Sequence, residues 1–69
     1  MDDYTAAVRR PKLKLVGVNG NAFMILGLAR RAALKAGWSP ERWARVHEQA
    51  SSGDYDNLLR TMMEHFDVH

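Results

Sequence analysis

The residues best suited to metal chemistry lie near the carboxyl end of this 69-residue chain. His65 and His69 are four residues apart, and Glu64 comes directly before the first of them. On an unbroken helix this spacing would place both imidazoles on one side, as in a zinc-binding pair. The chain contains no cysteine and offers no obvious third ligand. We therefore expect no bound metal, and we expect no other cofactor.

Two carboxylates, Asp54 and Asp56, flank Tyr55 and could serve in acid–base chemistry within an enclosed pocket. The same pattern is typical of a helix start, where the helix dipole favours negative charge. A domain of this length has little interior with which to enclose a reactive pair. No nucleophile paired with a base is evident, so we expect that the protein is not an enzyme.

The third candidate is the glycine-rich turn at residues 17–21, between a predicted strand and a predicted helix. Free amides and the helix dipole can bind phosphate at such a junction. A nucleoside-triphosphate loop needs a lysine and a serine or threonine at the helix start, whereas this chain has Ala22 and Phe23. We interpret the segment as a plain turn, with Asn21 as the cap of the following helix.

The strand that leads into this turn is predicted from the alternation of apolar and polar residues between Lys12 and Val18. Leu13 and Leu15 point to one face, which we expect to be buried. Val16 and Val18 interrupt the polar face near the end of the strand. We therefore expect another part of the chain to cover these two valines.

The first helix is predicted from Ala22 to Ala36, because Gly37 is a suitable residue for the position after a helix end. Its buried face is mostly alanine, which predicts close packing against another helix. That face comprises Ala22, Ile25, Leu26, Ala29, Ala32, Ala33 and Ala36.

The opposite arc of this helix combines cations with apolar side chains, a composition typical of a contact surface. The alternative is that a small fold cannot bury every apolar side chain. We predict that this arc binds the partner, through Met24, Leu28, Arg30, Arg31 and Lys35.

The second helix has the clearest start signal, because Ser39 can cap it, Pro40 suits its first position and Glu41 complements its dipole. Trp38 and Trp43 have the spacing of a hydrophobic staple, which fixes the angle between the first two helices. We expect the buried face of this helix to consist of Trp43, Val46, His47 and Ala50.

A third helix is predicted after Asp54, which can cap it, and Met63 is expected to be exposed. A second strand through Phe66 and Val68 could pair with residues 13–18. The apolar stripe of the third helix, which we expect to be core, consists of Tyr55, Leu58, Leu59, Met62 and Phe66.

Together these elements predict an α+β fold of order β-α-α-α-(β), in which three helices pack on a ribbon of one or two strands. We expect a small single domain at residues 12–69 and a flexible N-terminal arm at residues 1–11. A two-stranded ribbon would leave a free edge on which a second copy could pair, so a homodimer stays open.

The absence of cysteine fits a reducing compartment. The longest apolar run, from Ala22 to Ala29, is far too short to span a bilayer. We therefore expect a cytoplasmic protein without a membrane partner.

The charge of the chain is unevenly distributed, although its net value is only +2. Residues 9–45 carry nine basic side chains against one acidic, whereas residues 46–69 carry five acidic against one basic. Solvated faces produce such asymmetry, and so does an anionic partner of the first half. The alternative function is therefore nucleic-acid binding, through the basic residues of the predicted arc together with Lys12, Lys14, Arg42 and Arg45. No helix-turn-helix signature supports that alternative.

Two segments resemble a family of short, uncharacterised proteins of bacteria, their phages and plasmids. The first is Leu15-Val16-Gly17-x-x-Gly20-Asn21-Ala22-Phe23, and the second is Ser52-Gly53-Asp54-Tyr55-Asp56-x-Leu58-Leu59. In that family positions 18 and 19 are commonly acidic and position 57 is often histidine. This chain has Val18, Asn19 and Asn57 instead, which puts any activity of the acidic turn in doubt.

The resemblance implies a mobile-element context but no functional residues. Small phage proteins without catalytic motifs often inhibit host machinery stoichiometrically, as anti-CRISPR proteins do. The leading hypothesis is therefore a non-enzymatic protein-binding module, encoded by a phage or mobile element and acting in the host cytosol. Its partner would be a host protein complex, with a CRISPR or other defence complex as one class.

Overall fold

The computed structural model describes residues 10–17 and 20–69, and it confirms the predicted α+β fold. The elements in chain order are β1 (Lys12–Leu13), α1 (Ala22–Lys35), α2 (Pro40–Ser51), α3 (Tyr55–His65) and β2 (Asp67–Val68). The predicted flexibility of the arm at residues 1–9 lies outside the described residues, as do Val18 and Asn19. The last two residues of the predicted arm, Arg10 and Pro11, contact the folded domain. The Arg10 guanidinium donates to the Met63 carbonyl at 2.8 Å, and the Pro11 carbonyl accepts from the Asp67 amide.

The two strands pair in parallel, with Lys12 opposite Asp67 and Leu13 opposite Val68. Backbone hydrogen bonds extend the pairing on both sides: the Asp67 amide donates to the Pro11 carbonyl at 2.8 Å, and the His69 amide to the Leu13 carbonyl at 3.0 Å. The predicted second strand is therefore confirmed. All three helices lie between β1 and β2 in the chain, so this short ladder joins the segment before α1 to the segment after α3.

The predicted length of the first strand is wrong, since only Lys12 and Leu13 form it. Val16 belongs to a turn and is 73% exposed, so the prediction that another part of the chain covers it is wrong. The physical reason is that regular pairing stops after Leu13: the Leu15 and Val16 amides both donate to the His69 carbonyl, at 2.6 Å and 3.1 Å, and Gly17 then turns the chain with a φ of +82°.

Helix α1 begins where Asn21 was predicted to cap it. The Asn21 side-chain oxygen accepts from the amides of Phe23 at 2.7 Å and Met24 at 3.4 Å. The C-terminal end follows the Schellman pattern, in which the Trp38 amide donates to the Ala33 carbonyl at 3.0 Å and Gly37 has a φ of +95°. This backbone turn directs Trp38 into the core.

We expect Gly37→Ala to lower the free energy of unfolding by about 1–2 kcal/mol, because a Cβ is disfavoured at positive φ. Gly27→Ala is the matched control, since it makes the same change inside α1, where an added Cβ meets no atom within 4 Å. That control should raise stability by about 0.5–1 kcal/mol. Urea denaturation of both variants measures the two effects. A Gly37→Ala variant as stable as the wild type would contradict the assignment.

The other two helices also start at their predicted caps. The Ser39 hydroxyl oxygen accepts from the Arg42 amide at 3.1 Å, and an Asp54 carboxylate oxygen accepts from the Asn57 amide at 2.9 Å. The Asn57 side chain in turn donates to the Gln49 carbonyl at 2.8 Å. The side-chain amide of Asn57 therefore links the start of α3 to the last turn of α2.

The core lies between the three helices and β1. Trp38 stacks on Phe66, with ring centroids 5.1 Å apart and an interplanar angle of 19°. Ala29 and Ala33 are completely buried, which agrees with the predicted alanine face of α1. The buried apolar set is Leu13, Ile25, Ala29, Ala33, Trp38, Trp43, Val46, Ala50, Leu58, Met62 and Phe66.

Some predicted core positions are wrong. Ala22 and Ala36, at the two ends of the alanine face, are exposed, because Ala22 opens α1 and Ala36 is its C-cap, away from the buried middle of the helix. Tyr55 is 44% exposed, since it opens α3 and its hydroxyl donates to the Gly20 carbonyl instead of entering the core. His47 is also exposed, because it lines the open depression between α1 and α2 and does not enter the core.

Candidate partner-binding surface

The outer side of α1 exposes large apolar side chains that no other part of the described chain covers. Phe23 is 85% exposed and Met24 is 48% exposed. Phe23, Gly27, Arg30 and Leu34 follow one another at i, i+4, i+7 and i+11, so they form one stripe along the helix. Leu34 is also exposed. This stripe is a solvent-facing surface with an aromatic residue at its N-terminal end.

A depression of about 480 Å³ lies between α1 and α2, on one side of this stripe. Most of its lining is apolar, with Arg30 from α1 and His47 from α2 as the polar members. The His47 ring meets the Trp43 ring edge to face, with centroids 5.8 Å apart. The full lining is Phe23, Leu26, Gly27, Arg30, Trp43, Ala44 and His47.

A second depression, of about 390 Å³, lies on the other side of the stripe. Its lining residues all come from α1: Phe23, Met24, Gly27, Leu28 and Arg31. Phe23 and Gly27 line both depressions, so the two are adjacent on one continuous surface. We call this surface the α1 face, defined by Phe23, Met24, Gly27, Leu28, Arg30 and Arg31.

The α1 face includes four of the five residues predicted from the sequence to bind a partner. Met24, Leu28 and Arg31 line one depression together, whereas Arg30 lines the other. Lys35 is exposed in the last turn of α1 and lines neither of them. All five predicted residues are therefore on the same helix; four of them line two adjacent concavities, and Lys35 lies outside both.

Phe23 and Gly27 were missed by the sequence reasoning. Neither of them was included in the predicted partner-binding arc. The available signal was the spacing of four residues from Phe23 to Gly27 and of seven from Phe23 to Arg30, which puts them on one side of a helix.

The α1 face is positively charged, and its cations form no ion pair with any residue that the structure describes. Helix α1 contains three basic residues and no acidic one. Within residues 10–17 and 20–69 the single ion pair joins His65 to Glu64 at 3.9 Å. No described carboxylate therefore neutralises Arg30 or Arg31, and their charge is available to an anionic group from outside.

The basic residues of the nucleic-acid hypothesis are more dispersed. Arg42 and Arg45 line a separate depression with His65, between α2 and α3. The Arg42 guanidinium lies 4.1 Å from the centre of the Trp38 ring, a cation–π contact that stabilises the end of α1. Lys12 is in β1, and Lys14 is exposed just after it. These cations thus belong to several elements.

The histidines considered for metal binding have structural contacts. Helix α3 ends at His65, so the helical spacing to His69 is not realised. The His65 ring Nε2 lies 3.0 Å from the Gln49 side-chain oxygen, and the Gln49 amide donates to Glu64 at 2.9 Å. In the part of the chain that the structure describes, no three His, Asp or Glu side chains converge on a common point.

None of the helices in the described segments combines the length and the apolar composition needed to cross a bilayer.

Comparisons with known proteins add no identification. No protein-family model, curated protein or solved structure matches this chain.

Proposed function

We propose that this protein is a non-enzymatic protein-binding module that contacts its partner through the α1 face. The observation that carries the proposal is the exposure of Phe23, at 85%, between two adjacent depressions bordered by arginines that pair with no carboxylate of the described segments. Aromatic residues and arginines contribute a disproportionate share of the energy at protein–protein interfaces. The α1 face combines both on one helix.

Energetic considerations support the same proposal. Fully burying a phenylalanine side chain is worth about 1.5–3 kcal/mol, so leaving Phe23 in water forgoes that stabilisation. Met24 adds a flexible thioether, which adapts its shape to a partner surface. A face of this kind gains free energy when another protein covers it.

A narrower proposal concerns the partner. The resemblance to short proteins of phages and plasmids supports a host complex as the target, inhibited by stoichiometric binding. An anti-CRISPR or other anti-defence role is the form of this proposal that can be tested first. A purified bacterial defence complex should lose activity as the molar ratio of this protein approaches one. Full activity at a large molar excess, across the main classes of such complexes, would remove the narrower proposal and leave the binding module intact.

The charge of the α1 face provides the general test of the proposed function. We expect immobilised wild-type protein to retain a specific protein from bacterial lysate, and we expect Arg31→Glu to lose it. The matched control is Arg60→Glu, which reverses an exposed cation on α3. The measurement is the amount of the retained protein, quantified by mass spectrometry.

Two results would contradict the proposal: retention of nothing above background by the wild type, or equal retention by the charge-reversed variant. A low-salt gel shift with duplex DNA and with RNA tests the alternative. Binding there, with an affinity that falls steeply with salt, would replace the protein partner by a nucleic acid.

A further inference from the structure

We propose that the α1 face, and the groove between α1 and α2 in particular, receives an amphipathic helix of the partner whose apolar stripe is bordered by acidic residues. This inference rests on the proposed function and specifies the chemistry of the partner segment. It is carried by two independent features of the α1 face, a bare glycine on its surface and two arginines that have no ion-pair partner among the described residues.

Gly27 is the first feature. A glycine inside a helix costs about 0.8–1 kcal/mol relative to alanine, so its presence needs a reason. The usual intramolecular reasons are absent among the described residues, because its φ is not positive and an added Cβ would meet no atom within 4 Å. Gly27 nevertheless lines both depressions. A bare backbone at this point allows another backbone to come close from outside.

The shape of the site favours a helix as the occupant. The groove runs between two helices, and the side-chain ridges of a third helix fit into grooves of this kind. Its lining comes entirely from α1 and α2, so it offers apolar side-chain contacts to a helix but no strand edge on which an extended peptide could pair. Recognition of an amphipathic helix in an apolar groove is a recurrent mode of peptide binding.

The cations determine the charge of the occupant. Arg30 lines the groove and Arg31 lines the adjacent depression, so positive charge is present on both sides of Gly27. Neither has a described carboxylate at ion-pair distance. Glutamate or aspartate on the flanks of the incoming helix would complement them, and lysine would repel them.

The same charge argues against two copies meeting face to face. A two-fold contact through α1 would oppose the three cations of one copy to those of the other, because α1 has no acidic residue. A partner of opposite charge satisfies the surface, whereas a symmetric dimer through this face does not.

The experiment uses the full chain and two synthetic peptides of about 18 residues. Both peptides carry leucine at i, i+3, i+4 and i+7 of a helical pattern; one has glutamate at the flanking positions and the other has lysine. Fluorescence anisotropy of labelled peptide gives the Kd for each. The protein variants are Gly27→Gln, which places a long side chain in the groove, and Arg30→Glu/Arg31→Glu. The control is Met63→Ala, which truncates an exposed apolar residue on α3.

We expect the glutamate peptide to bind at least about tenfold more tightly than the lysine peptide, and the charge-reversed variant to invert that order. Gly27→Gln should weaken binding by about tenfold while its urea midpoint rises, because glutamine is the better helix former. If Gly27 served only the fold, Gly27→Gln would lower both the urea midpoint and the affinity for the peptide. Met63→Ala should bind as the wild type does.

Equal binding of the two peptides, no binding of either, or unchanged binding by Gly27→Gln would each overturn the inference. So would concentration-dependent self-association that Gly27→Gln abolishes, because it would make a second copy the occupant. Tight binding of a DNA duplex of about 20 base pairs that Gly27→Gln also blocks would make the occupant a nucleic acid. If these tests fail while the lysate protein is still lost on charge reversal, the proposed function stands without the acidic helix.

Discussion

Replacing Phe66 with alanine is expected to lower the free energy of unfolding by about 3–5 kcal/mol. The Phe66 side chain is 1% exposed and stacks on Trp38, so its removal leaves a cavity and ends the contact between the rings. A domain of this length has a total stability of about 3–10 kcal/mol. The loss is a large share of this stability, so we expect the urea midpoint of the Phe66→Ala variant to fall far below the wild-type value.

Circular dichroism during urea titration measures this effect. The appropriate control is Phe23→Ala, because it truncates the other phenylalanine of the chain, which is exposed. That variant should unfold at the wild-type urea concentration or slightly above it, since alanine is the better helix former. A loss of less than about 1 kcal/mol in Phe66→Ala would mean that the stacked pair is not central to the core.

Phe23→Ala should have the opposite profile, a folded protein that has lost its partner. We expect its Kd for the partner retained by the wild type to rise by about 30-fold or more, which corresponds to about 2 kcal/mol and to a hot-spot residue. The reason is that Phe23 supplies the largest exposed apolar area of the α1 face. Titration calorimetry with the purified partner gives the Kd.

Met63→Ala is the control for this second prediction, because it also removes an exposed apolar side chain but acts on α3. Its Kd should stay within about twofold of the wild-type value, less than 0.5 kcal/mol. If Phe23→Ala binds as tightly as Met63→Ala, the aromatic anchor is not at the interface, and the binding surface must lie elsewhere on the molecule.

The contrast between the two phenylalanines shows where sequence reasoning succeeds and where it fails. Phe66 continues the apolar stripe of α3, so its spacing from Leu59 and Met62 predicts its burial, and the structure confirms it. Phe23 follows the cap of α1 in its first turn, where no periodic pattern has begun. Its exposure depends on which helices pack against α1, and that is not encoded in its neighbours along the chain.

The candidate site, too, could be predicted only in part, because the sequence shows which residues share one side of a helix but not which helices pack together. Arg31 and Met24 stand out because a helical wheel collects cations and apolar residues on one arc. The groove itself was not predictable, since it requires α2 to bring Trp43 and His47 beside Gly27. His47 was predicted to be in the core because a helical wheel of α2 places it next to the apolar stripe. Its exposure depends on how α1 and α2 pack, because they leave an open depression that His47 lines.

What the sequence determined by itself is the set of local signals. Asn21, Ser39 and Asp54 start the helices and Gly37 ends the first of them, because a cap satisfies backbone groups within three or four residues of itself. The tertiary structure alone decided the two-residue length of β1 and the exposure of Val16, Phe23 and Tyr55. Burial and strand pairing depend on the reach of elements distant in the chain, and the packing of three short helices leaves the outer side of α1 uncovered.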